Sequence, residues 1–513
     1  MQIALDIFLF LIYISCFLLL CLWTWKFWLL YANQKHLDDL DWKLLEIRLP
    51  REIFKSPQAT EMAAAAFLQA GGVGTWYNKY VKGALPIFFS LEIASLEGDV
   101  KFFVRTQKKF VQLIQNNFYS QYPNIEITEA DDYVTKIYYD HRSPKNGVGM
   151  WASDYFLSSK FTIKDGDKEK KIDDVKIKND PLPMKTYVDF GLDKDPKEEF
   201  KHDPLTPILE WFGSLKKGEY AWYQIMVQDE SNYNNKKFPG FYINETDHSH
   251  ITFSDLVKLR LNSIRKTKPK YKKGDQVLDD YGNPKTKTKK VKQQDGSFID
   301  EEVPVLYAQD DKGSDKKDND LTEEEKNEIK LILRKAAKPA VLCAMRVVYI
   351  AAPGSFNAQN IQSILNVPKH FSAPGFNSFG LSPADPYDYD WQDFMKRRRP
   401  WRKEEFFEAY VEREAFYPHI ESRTKGSKPR SFVDIDDWWD WALFTRSLGF
   451  RKIGRIMWEG FFYPTHHPHA DNAFVLNLEE LATLWHLPGA TATTPGIRRV
   501  DSVKGDAPNN LPI

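Results

Sequence analysis

The chain has 513 residues and a mass of 59.8 kDa, enough for two or three domains. Lys+Arg and Asp+Glu each count 71, so the formal charge is zero, which excludes a globally basic nucleic-acid coat and an acidic tail protein. A mean hydropathy of −0.51 excludes a polytopic membrane protein, and only three cysteines exclude a disulfide scaffold and fit a reducing compartment.

The first predicted element is a transmembrane helix. Ile7 to Trp25 carries no charge, and at 1.5 Å per residue it spans roughly 28 Å, close to the hydrocarbon thickness. Trp23, Trp25, Trp28 and Tyr31 crowd its C-terminal end, as in an interfacial aromatic belt. A signal peptide fits less well, because no basic n-region precedes the run and no small-residue cleavage site follows. Lys26, Lys35, Lys43, Arg48 and Arg51 follow the span and none precedes it, so the N-terminus is expected outside and the body in the cytoplasm. The expected location is the cell inner membrane, crossed once, with the lipid bilayer as a partner.

Residues 56 to 128 read as helix, strand, strand, helix, strand. Ser56-Pro57 is a cap followed by a first-turn proline. Ile87, Phe89, Leu91 and Ile93 alternate as a half-buried strand requires, and Glu97-Gly98 turns the chain into Val100, Phe102 and Val104. Phe110, Leu113, Ile114 and Phe118 fall at helical spacing. The order recurs from Asp203-Pro204, with strands over 219–228 and 340–350 and a helix marked by Ile361, Ile364 and Leu365. This pattern predicts a second copy of one unit.

The expected fold is α+β: one N-terminal transmembrane helix, then tandem two-layer α/β sandwich modules with helices on one face of an antiparallel sheet, and a charged disordered insertion. The expected division is an anchor over 1–33, a first module over 44–180 and a second over 185–395 with the flexible insertion at 229–320. A basic and aromatic segment over 396–513 packs on the second module. Lys258 to Lys292 holds 13 Lys/Arg against three aspartates, and Gln293 to Glu328 holds 13 Asp/Glu against four lysines. Such composition reads as a self-neutralising loop, with contact to DNA phosphates or anionic lipid as the sharper alternative.

Two strings are candidate sites. His466, His467, His469 and Asp471 offer imidazole and carboxylate ligands for zinc, though without a helical i, i+4 pair or a CxxC partner. Lys396, Arg397, Arg398, Arg399, Trp401, Arg402 and Lys403 form a basic run around an aromatic ring, suited to a phosphate backbone with base stacking, or to an anionic lipid surface. Cys343, mid-strand among apolar neighbours, reads as a buried hydrophobe. Asn477 and Glu480 stand at the spacing of a capping box. No catalytic residue and no cofactor are expected.

Several strings taken together carry a resemblance. WKLLEIRLPREIFKSPQATEMA, FFSLEIASLEGDVKFFVRT, QNNFYSQYPNIEITEADDY, DPLTPILEWFGSLKKGEYAWYQIMVQ and FVLNLEELATLWHLPGA resemble the membrane-anchored N-terminal region of large bacterial ATPases. Those ATPases are related to conjugative and type IV secretion DNA pumps, and the region is a domain of unknown function common in candidate-phyla bacteria. In that family it leads into a nucleotide-binding motor. Here no G-x-x-x-x-G-K-[ST] occurs, and GGVGTW at 71–76 and KGSK at 425–428 lack its spacing. The resemblance implies a non-catalytic, membrane-anchored scaffold or assembly subunit of a DNA or protein transfer machine. It would dock a separately encoded motor ATPase, form homo-oligomers and touch DNA through its basic segments. A membrane-tethered zinc hydrolase using the His466–Asp471 loop is the alternative.

Overall fold

In a computed structural model the chain is described over residues 35–50, 55–69, 75–139, 148–163, 175–193, 203–235, 238–239, 242–243, 250–265, 286–292, 298–304, 321–385, 398–414, 473–489, 496, 497 and 499, with scattered positions between 6 and 33. Nine strands form one antiparallel sheet: β1 (Trp42–Arg48), β2 (Phe88–Leu96), β3 (Asp99–Gln107), β4 (Glu126–Ala130), β5 (Gly149–Leu157), β6 (Glu219–Asp229), β7 (Ala340–Ala351), β8 (Phe379–Pro383) and β9 (Phe474–Asn477). The labelled helices are α1 (Pro57–Ala64), α2 (Val111–Gln121), α3 (Thr206–Gly213), α4 (Phe253–Arg265), α5 (Glu323–Ala336), α6 (Gln359–Asn366), α7 (Arg398–Val411) and α8 (Leu478–Leu484).

Strand order is β8-β5-β7-β6-β2-β3-β1-β4, with β9 beside the start of β7. The first half runs β1-α1-β2-β3-α2-β4 and the second β5-α3-β6-β7-α6-β8. Each half has its first and third strands at the centre, the fourth outside the first and the second outside the third. That is the split β-α-β topology, present twice. The halves join where β2 pairs with β6, from Phe88 opposite Gln228 to Leu96 opposite Tyr220. The expectation of separate tandem modules is therefore corrected to one continuous sheet.

The local chemistry accounts for the elements. β2 returns as β3 through Glu97 (φ 57°) and Gly98 (φ 90°), two left-handed residues as a tight hairpin turn demands. Thr322 accepts from the Glu325 amide and starts α5, whose acidic first turn and basic last turn both suit the helix dipole. On one face of the sheet Phe89, Leu91, Val104, Tyr223, Ile225 and Val347 meet α1, α2, α3, α6 and α8 through Ala63, Phe118, Phe212, Ile364 and Trp485. A two-layer sandwich would leave the other face open, but here it is also covered. Leu256 of α4 and Ile332 of α5 pack on Phe88, Met226 and Leu342 at one end. Tyr133 with Phe407 and Tyr410 of α7 packs on Phe103, Trp222 and Val348 at the other. The architecture is three-layered.

Two further expectations fall. Among the described residues no helix is long and apolar enough to cross a membrane, which overturns the transmembrane helix and the single-pass inner-membrane location. Just beyond the apolar stretch the chain packs on the protein itself. Leu29 and Ala32 are buried, and Trp28 Nε1 donates to the Tyr80 carbonyl at 2.9 Å. Gly83 lies so close to the Ala32–Asn33 backbone that a Cβ there would sit 2.2 Å from the Ala32 carbonyl carbon. Phe10, Tyr13, Phe17 and Leu20 upstream are exposed.

The insertion, expected to be disordered, contains α4 and a strand pair over Thr286–Lys292 and Phe298–Pro304. Its basic strand lies against its acidic one, with Lys289 opposite Glu301 and Lys290 opposite Asp300.

Candidate functional site

The most concentrated chemistry in the described residues lies between the second face of the sheet and α7. Glu92 is the single carboxylate in the apolar strand β2, and it is fully buried. The cross-strand register sets Glu92 beside Gln224 on β6, Gln224 beside Arg346 on β7, and Arg346 beside Asp154 on β5. A polar row therefore crosses four strands at the edge of the Trp222 cluster.

Arg413 closes this row. Two residues past α7, it takes a left-handed backbone (φ 56°), which turns its buried side chain down onto the sheet. Its Nε and Nη2 donate to Glu92 Oε1 and Oε2 at 3.0 and 3.1 Å. Nη1 and Nη2 donate to Asp132 Oδ2 and Oδ1 at 2.6 and 2.9 Å. One guanidinium thus grips two carboxylates, each by two bonds, the geometry for which its planar fork is suited. Glu92 also accepts from Ser90 Oγ (2.6 Å), Tyr133 Oη (2.8 Å) and Gln224 Nε2 (3.2 Å). Tyr133 and Tyr410 share a hydrogen bond of 2.7 Å. Nearby, Arg346 Nε donates to Asp154 Oδ1 at 3.1 Å and its Nη1 to the Ala409 carbonyl at 2.9 Å.

Electrostatics favour one protonation state throughout. Burial alone would raise the Glu92 and Asp132 carboxyls, but the Arg413 charge outweighs it and holds both below their usual values. Burial works against the Arg413 charge, yet the two carboxylates push its pKa well above the normal range. Burial also raises the Tyr133 and Tyr410 phenols, which stay neutral. These groups are paired and held in fixed charge states. Chemically the arrangement fastens; it pins the C-terminal end of α7 to the middle of the sheet.

A second cluster does the same work between α5 and α8. The expected capping box is present: Asn477 Oδ1 accepts from the Glu480 amide at 2.8 Å, and Glu480 Oε2 accepts from the Asn477 amide at 2.9 Å. Glu480 then meets Lys335 of α5 at 3.0 Å, both side chains wholly buried. Burial raises the Glu480 carboxyl despite that cation. The neighbouring Glu479 is bonded to Arg334 and, at 3.0 Å, to Lys338. Lys338 also reaches Glu61 of α1, which accepts from Tyr187 Oη at 2.6 Å. A third link is His486, whose ring bridges the Ala482 carbonyl at 3.0 Å and Asp203 Oδ2 at 2.9 Å.

The structure treats the sequence-derived candidates differently. His466, His467, His469 and Asp471 lie outside the described residues, as do Lys396, Arg397 and the side chains of Arg398 and Trp401. Arg399, Arg402 and Lys403 are half-buried at the start of α7. Arg399 Nε is 3.6 Å from Asp385 Oδ1, and burial lowers the Lys403 amine. This part of the run is built into the packing. Among the described residues no group of three or more His, Cys, Asp or Glu could hold a metal ion. Sequence reasoning missed Glu92, Arg346 and Arg413. The first two carried a usable signal, a lone charge inside an apolar strand, whereas Arg413 gave none.

No family model matches the chain, and neither a curated protein nor a solved structure does.

Proposed function

We propose that the protein is a non-catalytic scaffold or assembly subunit of a type IV secretion- or conjugation-like transfer machine, and that it docks a separately encoded motor ATPase. The observation that carries this reading is how its buried charge is used. Arg413 with Glu92 and Asp132, Lys335 with Glu480, and His486 with Asp203 each join segments far apart in the chain. Matched and enclosed ion pairs are poor acids, bases and nucleophiles, but they fix one arrangement of packed layers. A rigid body of this kind suits a partner that must hold a motor in place. The five strings that resemble the N-terminal region of the pump ATPases point to the same class of machine.

The test is reconstitution. The purified chain is mixed with a motor ATPase of the conjugative type, and the mixture is followed by size-exclusion chromatography and ATP turnover. Co-elution, with turnover supplied by the motor alone, supports the reading. Nucleotide hydrolysis by the isolated chain, or a monomer that ignores the motor, overturns it.

A further inference from the structure

Trp222 and Gln224 occupy successive same-face positions on β6, beneath α7, and both are completely buried. Among the described residues, two of their polar atoms have no hydrogen-bond partner: Trp222 Nε1 and Gln224 Oε1. The orientation of the Gln224 amide is set by its surroundings. Its Nε2 faces two acceptors, Glu92 Oε1 at 3.2 Å and the Tyr410 carbonyl at 3.5 Å. Flipping the amide would turn its carbonyl against both, so the carbonyl oxygen is the atom left over.

The unpaired atoms are thus one donor and one acceptor. Buried groups of either kind are almost always satisfied in folded proteins. The pair also selects its ligand. A cation would be repelled by the indole N–H, and an anion would meet the Gln224 carbonyl oxygen with Glu92 close by. A neutral molecule that both accepts and donates fits. The Cα atoms of residues two apart on a strand lie about 6.6 Å apart, and a water with bonds of about 2.9 Å on each side joins side-chain atoms up to about 5.8 Å apart. The walls are aromatic: Tyr410 stacks on Trp222 at 5.4 Å between ring centroids, with Tyr133 at 5.4 Å and Phe407 at 6.1 Å.

We propose that a buried water lies between β6 and α7, accepting from Trp222 Nε1–H and donating to Gln224 Oε1. It completes the polar row that Arg413 closes.

The experiment uses the full chain labelled with ¹⁵N-tryptophan. The Trp222→Phe variant assigns the Trp222 indole resonance by its loss. In the wild type that resonance is expected to show a cross-relaxation peak to water, and Gln224→Met is expected to weaken or abolish it. A high-resolution crystal structure of the wild type is expected to show density within hydrogen-bonding distance of both atoms, and it decides the matter if either variant fails to fold. An indole proton without a water peak overturns the proposal, as does one unchanged in Gln224→Met. A crystal structure showing a protein acceptor at Trp222 Nε1 does the same.

Discussion

Replacing Arg413 by methionine tests whether the buried grip is needed or only tolerated. The substitution keeps most of the side-chain volume and removes the charge. Asp132 is about one-third exposed at its side chain and can turn to water, whereas Glu92 is sealed. Leaving one partner of a buried pair uncompensated typically costs about 3–5 kcal/mol. Here protonation of Glu92 sets the ceiling. Taking a carboxyl of ordinary value 4.5 to its neutral form at pH 7 costs about 3.4 kcal/mol, and at pH 5 about 0.7 kcal/mol. The sign follows from linkage. In the wild type the Glu92 value is depressed, so its contribution is present above 4.5 and fades as pH falls through the folded value. In Arg413→Met it becomes raised, and the penalty shrinks on acidification. Urea unfolding followed by tryptophan fluorescence should show a loss of about 3 kcal/mol at pH 7 and under about 1 kcal/mol at pH 5. The double variant Arg413→Met, Glu92→Gln should recover most of it, since the sealed carboxylate is gone, Asp132 can turn to water, and the amide can still bond Ser90 and Tyr133. A penalty below about 0.5 kcal/mol, or one flat with pH, would refute the reasoning.

Three other outcomes follow from the same geometry. Burial lowers the His486 value, but Asp203 outweighs it and leaves the ring raised above 6.5; its stabilisation is therefore complete below 6.5 and lost as pH rises through the folded value. His486→Gln should accordingly lose less stability between neutral and alkaline pH than the wild type, and parallel pH profiles would rule this out. Gly98→Ala should destabilise by about 2 kcal/mol, because φ is +90° and the added Cβ would sit 2.7 Å from the Leu215 carbonyl oxygen; an unchanged urea midpoint would contradict it. Cys343 is buried, and burial pushes its thiol far up; alkylation mapped by mass spectrometry should label exposed Cys21 in the native protein and Cys343 only after unfolding.

What could be read in advance was local. The hairpin at Glu97-Gly98, the proline-led helix after Ser56 and the box at Asn477 follow from side chains acting within four residues of themselves, and each appears at its place. Long-range pairing left no such mark. β1 carries Glu46 and Arg48 among its apolar residues and gave no strong alternation, although it sits between β3 and β4. The insertion misled because composition was weighed without register. Thirteen basic residues followed by thirteen acidic ones describe a solvated loop as well as an antiparallel pair, and only alignment of Lys289 with Glu301 separates the two. The apolar N-terminal run misled in a related way. Hydropathy reports that residues avoid water, not what covers them, and immediately after the run Leu29 and Ala32 are buried in protein.

The doubled topology explains the composition of the central strands. A split β-α-β unit alone leaves its second strand as an edge, where unpaired backbone groups invite association. Here β2 and β6, the second strands of the two halves, satisfy each other across nine residue pairs. Joining them moves β6 from an edge into the sheet beside β7, so both faces of these strands must be covered, and EYAWYQIMVQ and AVLCAMRVVYI are largely apolar on both, with Gln224, Gln228 and Arg346 as the polar exceptions on the second. A second face covered by helices must also be held in register with the first. Glu92 and Gln224 stand opposite each other at this junction, and Arg413 reaches Glu92 from the far end of α7. The ionic fastener therefore sits where the two halves meet, and the Arg413→Met penalty is expected to destabilise both halves together in one transition.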